Sequence, residues 1–221
     1  MKTNQQGATL IVVLMILLLI MVVGTLAIRQ SVSSLKMVSN NQIQALLLQN
    51  SDAALMYFQN LNNMTSLAAA DGVVGYLKNQ SNNQELVTCF NKANPYLLLN
   101  MGLLNSGGTI DNQAACRGND TSGGRKQVVT QVYIKKISSA TSQPFADFAR
   151  GTDVLTAKTE NSIRLQLTVI SVMTGFNTAD ELTNCFNQTA AKTISCLNQM
   201  HALYNSQVAE YHFLSDFEPP K

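Results

Sequence analysis

The chain has 221 residues, a formal net charge of +2 and 13% charged residues. That balance is too weak to argue for nucleic acid or a polybasic membrane surface as partner, and the length leaves one ordinary domain once an apolar N-terminal run is set aside. Trp is absent, which removes a common element of sugar and ligand sites, while abundant Asn, Gln, Ser and Thr make a polar surface with few charges.

The run from Ala8 to Ile28, ATLIVVLMILLLIMVVGTLAI, holds no charge, and only Thr9, Gly24 and Thr25 interrupt its apolar character. As a helix rising ~1.5 Å per residue it spans ~30 Å, about a bilayer core. A cleaved secretory signal would have an apolar region of ~7–15 residues and a small-x-small site at its end. This run is longer, and Thr25-Leu26-Ala27 is a poor site, so it reads as a single membrane span. Beyond it Val32, Leu35, Ile43, Leu47, Ala54, Phe58 and Leu61 recur near helical spacing, and no proline comes before Pro95. The pattern predicts one helix from Ala8 to about Asn60, ~80 Å long, with a bend at Gly24. Lys2 and the initiating amine flank the span on one side, Arg29 and Lys36 on the other. Taken alone, the positive-inside rule weakly favours a cytoplasmic head.

Ahead of the span lies a very short polar leader, MKTNQQG, that ends in Gly7 and runs straight into the apolar helix. This resembles the type III signal of type IV pilins. The resemblance implies cutting by prepilin peptidase after Gly7 and N-methylation of Ala8. Cutting before the apolar helix leaves it attached as an anchor. The stretch from Gln5 to Gln59, with its Gly-Ala boundary, Leu/Val-rich helix, Arg29 just past the membrane and closing QALLLQNSDAAL, resembles more closely the N-terminal module of PilX-type minor pilins. It covers roughly the first quarter of the chain. Most major pilins carry glutamate as the fifth residue after the cut, where this chain has Val12. In that family the glutamate is thought to pair with a neighbouring subunit's N-terminal amine. An unpaired charge in a span costs on the order of 3 kcal/mol, so its absence suits a subunit at or near the filament tip. The alternative, less favoured given the leader, is that Val12 is simply an apolar residue of an ordinary anchor.

Downstream, Leu67–Leu77 and Tyr96–Leu104 read as short helices or irregular packed segments, and Gly107-Gly108 and the stretch from Gly118 to Gly124 as loops. Asp111 and Asp120 lack the EF-hand spacing of a calcium site. Gln127–Ile137, Ser162–Met173 and Ser206–Leu214 read as strands, the second placing Ile163, Leu165, Leu167, Val169 and Ser171 on one side, for an antiparallel sheet of three or four strands. A long helix followed by a small sheet is an α+β head, here with pilin-like architecture. The expected divisions are leader 1–7, membrane half of the helix 8–28, soluble half 29–60 and extracytoplasmic head 61–221, with a helical insertion at 177–205. Within the insertion Thr178 and Glu181 form a candidate capping box, and Thr193–Tyr204 reads as helical.

Cys89, Cys116, Cys185 and Cys196 all lie beyond the span and none forms a CxxC. An even count on one side of a membrane fits an oxidising compartment, which with the resemblance outweighs the flanking charges and places the head in the periplasm. Sequence alone allows three pairings. Pilins often close a loop near the C-terminus with a disulfide. That resemblance implies Cys185–Cys196, with Cys89–Cys116 as the second bond.

His201, in the expected helix, and His212, in the expected last strand, sit in no metal motif. No nucleophile elbow, phosphate loop or dinucleotide fingerprint occurs. Lys135 and Lys136 face opposite ways on a strand, and Arg125-Lys126 is a second isolated pair. No enzyme activity, cofactor, metal or nucleic-acid partner is expected. The resemblance implies a minor pilin that helps to start pilus assembly from a tip complex. Its partners would be other minor pilins, the major pilin, a large tip protein and prepilin peptidase. Its place would be the inner membrane as a single-span protein, and then the pilus tip. The alternatives are a type II secretion minor pseudopilin, a tip-presented adhesion module using the 177–205 insertion, and a simple anchored periplasmic protein whose leader is never cut.

Overall fold

A computed structural model describes residues 8–78, 80, 84–104, 114–121, 127–137 and 163–213. Helix α1 is Ala8–Gln59, followed by α2 (Leu61–Ala68) and α3 (Val73–Lys78). Strands β1 (Glu85–Cys89), β2 (Gly102–Leu103), β3 (Val128–Ile137) and β4 (Ile163–Met173) come next, then helices α4 (Ala179–Phe186) and α5 (Ala190–Gln199) and strand β5 (Tyr204–Phe213). The chain forms two compact units, Met1–Ala45 and Leu46–Lys221.

In the first unit α1 continues through Gly24 without a break, and its apolar side chains from Leu10 to Val38 are exposed. No charge interrupts the run before Arg29, and an 18-residue window reaches a mean hydropathy of 3.2. Helix and composition together suit a membrane span.

The second unit is built on a five-stranded antiparallel sheet, ordered β2-β1-β3-β4-β5. That is one strand more than the three or four expected; β1 and β2, five and two residues long, are the ones the sequence did not name. The expected irregular segments resolve into α2 and α3, broken at Ala69–Gly72, and into a 3₁₀ turn at Leu98–Asn100 leading into β2. β3 and β4 lie where the sequence placed them, β3 by its Val, Tyr and Ile content and β4 by its alternation. β5 starts two residues earlier than expected, because α5 begins at Ala190 and stops at Gln199. His201 is not helical. It takes a left-handed φ of 53° just past the helix end, where its N–H bonds the Asn198 carbonyl.

The C-terminal part of α1 lays a stripe of Leu47, Ser51, Ala54 and Phe58 against the sheet, all fully buried. The spacing of 4, 3 and 4 residues is one face of a 3.6-residue helix. Ile163, Leu165, Leu167 and Val169 of β4 meet Ala54 and Phe58 in one core. Ile170 and Val172 point the other way into a second core with Leu182, Phe186 and Leu197 of the α4–α5 hairpin. The sheet is therefore covered on both faces, and β4 belongs to both cores.

Candidate functional site

Three constructions position the surfaces this molecule can offer. The first joins α1 to the sheet. Phe58 sits against the rings of Tyr96, Tyr211 and Phe213, with centroids 5.2, 5.0 and 6.5 Å away. Tyr96 donates its hydroxyl hydrogen to the Ala54 carbonyl at 2.7 Å. Burial pushes the Tyr96 phenol far above its ordinary range, helped by Tyr211 and Tyr57, so it stays a neutral donor. Near the other end of the stripe the Ser51 hydroxyl lies 2.8 Å from that of Ser171. Ser171 in turn lies 2.9 Å from the Thr130 hydroxyl. All three are fully buried, so each needs these partners to offset desolvation.

The second holds the hairpin on the opposite face. Gln131, fully buried, donates to the Tyr133 hydroxyl at 2.6 Å and to the Phe186 carbonyl at 2.8 Å. Its carbonyl accepts from the Cys116 N–H at 2.7 Å. Tyr133 reaches Thr193 at 2.7 Å, and Thr193 donates to the Cys185 carbonyl at 2.9 Å. Burial raises the Tyr133 phenol far above its usual range, outweighing the opposing pull of Thr193 and Gln131. Thr189 makes no side-chain cap for α5. The Glu85 carboxylate of β1 instead accepts from the Ala190 N–H at 3.1 Å, placing an anion at the positive end of the helix. Gly118 completes the clamp. A Cβ there would sit 2.4 Å from the Ala179 carbonyl oxygen, so only glycine allows this approach.

The third is covalent. Cys89 bonds Cys116, and Cys185 bonds Cys196, the pairing that the resemblance implied. The first ties the loop after β2 to the sheet, and the second closes the hairpin. Helix α4 carries the expected capping box: Glu181 N–H donates to the Thr178 hydroxyl oxygen at 3.4 Å, and Thr178 N–H donates to the Glu181 carboxylate at 3.0 Å. The hydroxyl and the N–H of Thr178 hold the Glu181 carboxyl below its ordinary range. A depressed folded-state pKa gives stability that is present above the unfolded value, ~4.3, and is lost as pH falls through the lower folded value. Thr178→Ala is expected to cost about 1 kcal/mol and to move the Glu181 titration, followed by NMR, upward toward the ordinary range, the remaining N–H bond keeping part of the shift.

Asp120 accepts from the Arg117 N–H at 2.9 Å and lies 3.7 Å from the Lys92 ammonium, so it serves to shape its turn. Asp111, Gly107-Gly108, Gly123-Gly124, Arg125-Lys126 and Gly7 fall outside the described residues. Lys136 donates to the Lys78 and Gln80 carbonyls at 3.1 and 2.7 Å, closing the C-terminal end of α3. His212 lies in β5 opposite Arg164. Among the described residues no three of His, Cys, Asp and Glu come together as metal ligands. Val12 is 55% exposed on α1.

Sequence reasoning missed Ser51, Thr130, Gln131, Tyr133 and Glu85 as positioning residues. The one available signal was Ser51, which falls on the apolar stripe four residues after Leu47 and three before Ala54.

A long N-terminal helix, apolar and exposed at its start and packed on an antiparallel sheet at its end, defines a pilin-like α+β protein. Residues 6–55 match the family described as PilX N-terminal. Over that stretch the chain is similar to the N-terminal module of PilX-type minor pilins. No curated protein and no solved structure matches it.

Proposed function

We propose that this protein primes type IV pilus assembly as a minor pilin within a tip complex. The PilX N-terminal match over residues 6–55 carries the reading. The exposed apolar surface of α1 supports it, because such a surface must be covered by lipid or by other helices. In this reading prepilin peptidase cuts after Gly7, Ala8 is methylated, and the head folds in the periplasm, where its disulfides form. The anchor packs with those of other minor pilins, and major pilin subunits add beneath. Val12 leaves the span without a charge to pair, which suits a subunit with nothing above it.

The test has two arms. Mass spectrometry of the mature protein should find a methylated Ala8 start that disappears in a strain without prepilin peptidase. A clean deletion should reduce surface pili while the major pilin pool persists. Normal piliation in that strain would refute the priming role.

A further inference from the structure

The two edges of the sheet are unequal. One is β2, a strand of two residues. The other is β5, ten residues paired to β4 without a bulge from Tyr204↔Val172 to Phe213↔Ile163. Short strands, prolines, lysines and bulges are the usual ways to blunt an edge. The β5 sequence, YNSQVAEYHF, contains no Lys, Arg or Pro, and Glu210 is its only acidic residue.

The register fixes which backbone groups point outward. Met173 N–H donates to the Leu203 carbonyl, so odd-numbered residues of β5 exchange bonds with odd-numbered residues of β4, given the alternation of antiparallel pairs. The other side of β4 agrees, because Thr174 N–H donates to the Gln127 carbonyl and even-numbered β4 residues therefore face β3. Ser206, Val208 and Glu210 consequently turn their N–H and C=O groups away from the sheet. No backbone partner meets these groups among the described residues. Their side chains lie on the hairpin side of the sheet, where at this edge all three are exposed, Val208 to 58%.

We propose that the β5 edge is a docking site for an extended strand from a different protein subunit, added through main-chain hydrogen bonds. The row Ser206, Val208, Glu210 selects a strand that sets an apolar β-branched residue near Val208 and a Lys or Arg near Glu210, since opposite charges across strands attract. A second copy of β5 has no Lys or Arg to offer, so charge complementarity favours a heterologous partner. This deepens the tip-complex reading, and rests on it for the identity of the donor as another pilin-type subunit.

The experiment uses the full chain in pilus-producing cells, with a photo-crosslinking amino acid at Ser206. The expected product is an adduct to another pilin-type subunit, mapped by mass spectrometry to an extended segment that bears Lys or Arg. Val208→Pro removes only an outward N–H, which edge strands tolerate, and should lower the yield about ten-fold. Glu210→Lys, which leaves the backbone unchanged, should lower it roughly three-fold. Absence of an adduct, an adduct to a second copy or to another part of the same chain, or a yield indifferent to both substitutions would overturn the proposal. Normal pili in the deletion strain beside an intact, Glu210-dependent adduct would remove the priming role and keep the docking edge. Reduced pili in the deletion strain without an adduct would do the reverse.

Discussion

Phe58→Ala should be the most damaging single truncation in the head, lowering its stability by about 3–5 kcal/mol. The ring is fully buried and is surrounded by Tyr96, Tyr211 and Phe213. Those neighbours come from the loop before the 3₁₀ turn and from β5, whose positions are fixed by the sheet and by the bond from Tyr96 to the Ala54 carbonyl. They cannot close around the space, so the loss combines the transfer free energy of the ring with a residual cavity. Urea denaturation of the full chain in detergent, followed by tyrosine fluorescence, would measure it as a lower midpoint with an unchanged slope. A change under 1 kcal/mol would mean that α1 is not held to the sheet through this residue. Phe58→Leu, which keeps most of the volume, should recover much of the loss.

Replacing Cys89 and Cys116 together by Ala should cost about 3.5 kcal/mol, and the same change at Cys185 and Cys196 about 2.8 kcal/mol, from chain entropy alone. The order follows from sequence separations of 27 and 11 residues. The first pair should lose more than its loop entropy, because the Cys116 N–H is an anchor for the buried Gln131 carbonyl. If the Cys116 loop detaches, that carbonyl is left without its partner. Denaturation of the two double variants under oxidising conditions provides the comparison. Equal losses, or a larger one for the hairpin pair, would show that the hairpin depends on its own bond more than on the clamp beneath it.

Much of this architecture was readable along the chain, where periodicity speaks directly. The apolar run from Ala8, the stripe of Leu47, Ala54 and Phe58, the β-branched and aromatic content of β3, the alternation in β4, and the Thr178–Glu181 box each announce themselves within about a dozen residues. β1 and β2 did not, because Glu85–Cys89 becomes a strand by lying between β3 and β2, and Gly102-Leu103 is too short for a period. The end of α5 was misplaced for a related reason: Met200 and His201 carry no strong stop signal, and the left-handed turn at His201 is set by the return into β5. The buried polar clamp was illegible. Gln131 sits in a strand between valines and threonines, and its partners are 15 and 55 residues away. Hydroxyls such as Ser51 and Ser171 look like surface residues until each is seen to satisfy the other.

The double membership of β4 has a consequence for how the head comes apart. Its odd-numbered side chains complete the core under α1, and its even-numbered ones complete the core under the hairpin. A slip of one residue would exchange the two sets, presenting Ile170 and Val172 to the helix and Leu165 and Leu167 to the hairpin. Neither layer can rearrange without spoiling the other, so the strand makes the two layers a single cooperative unit. The α4–α5 hairpin and the packed end of α1 should therefore melt in one transition, and amides on β3 and β4 should exchange only through global unfolding.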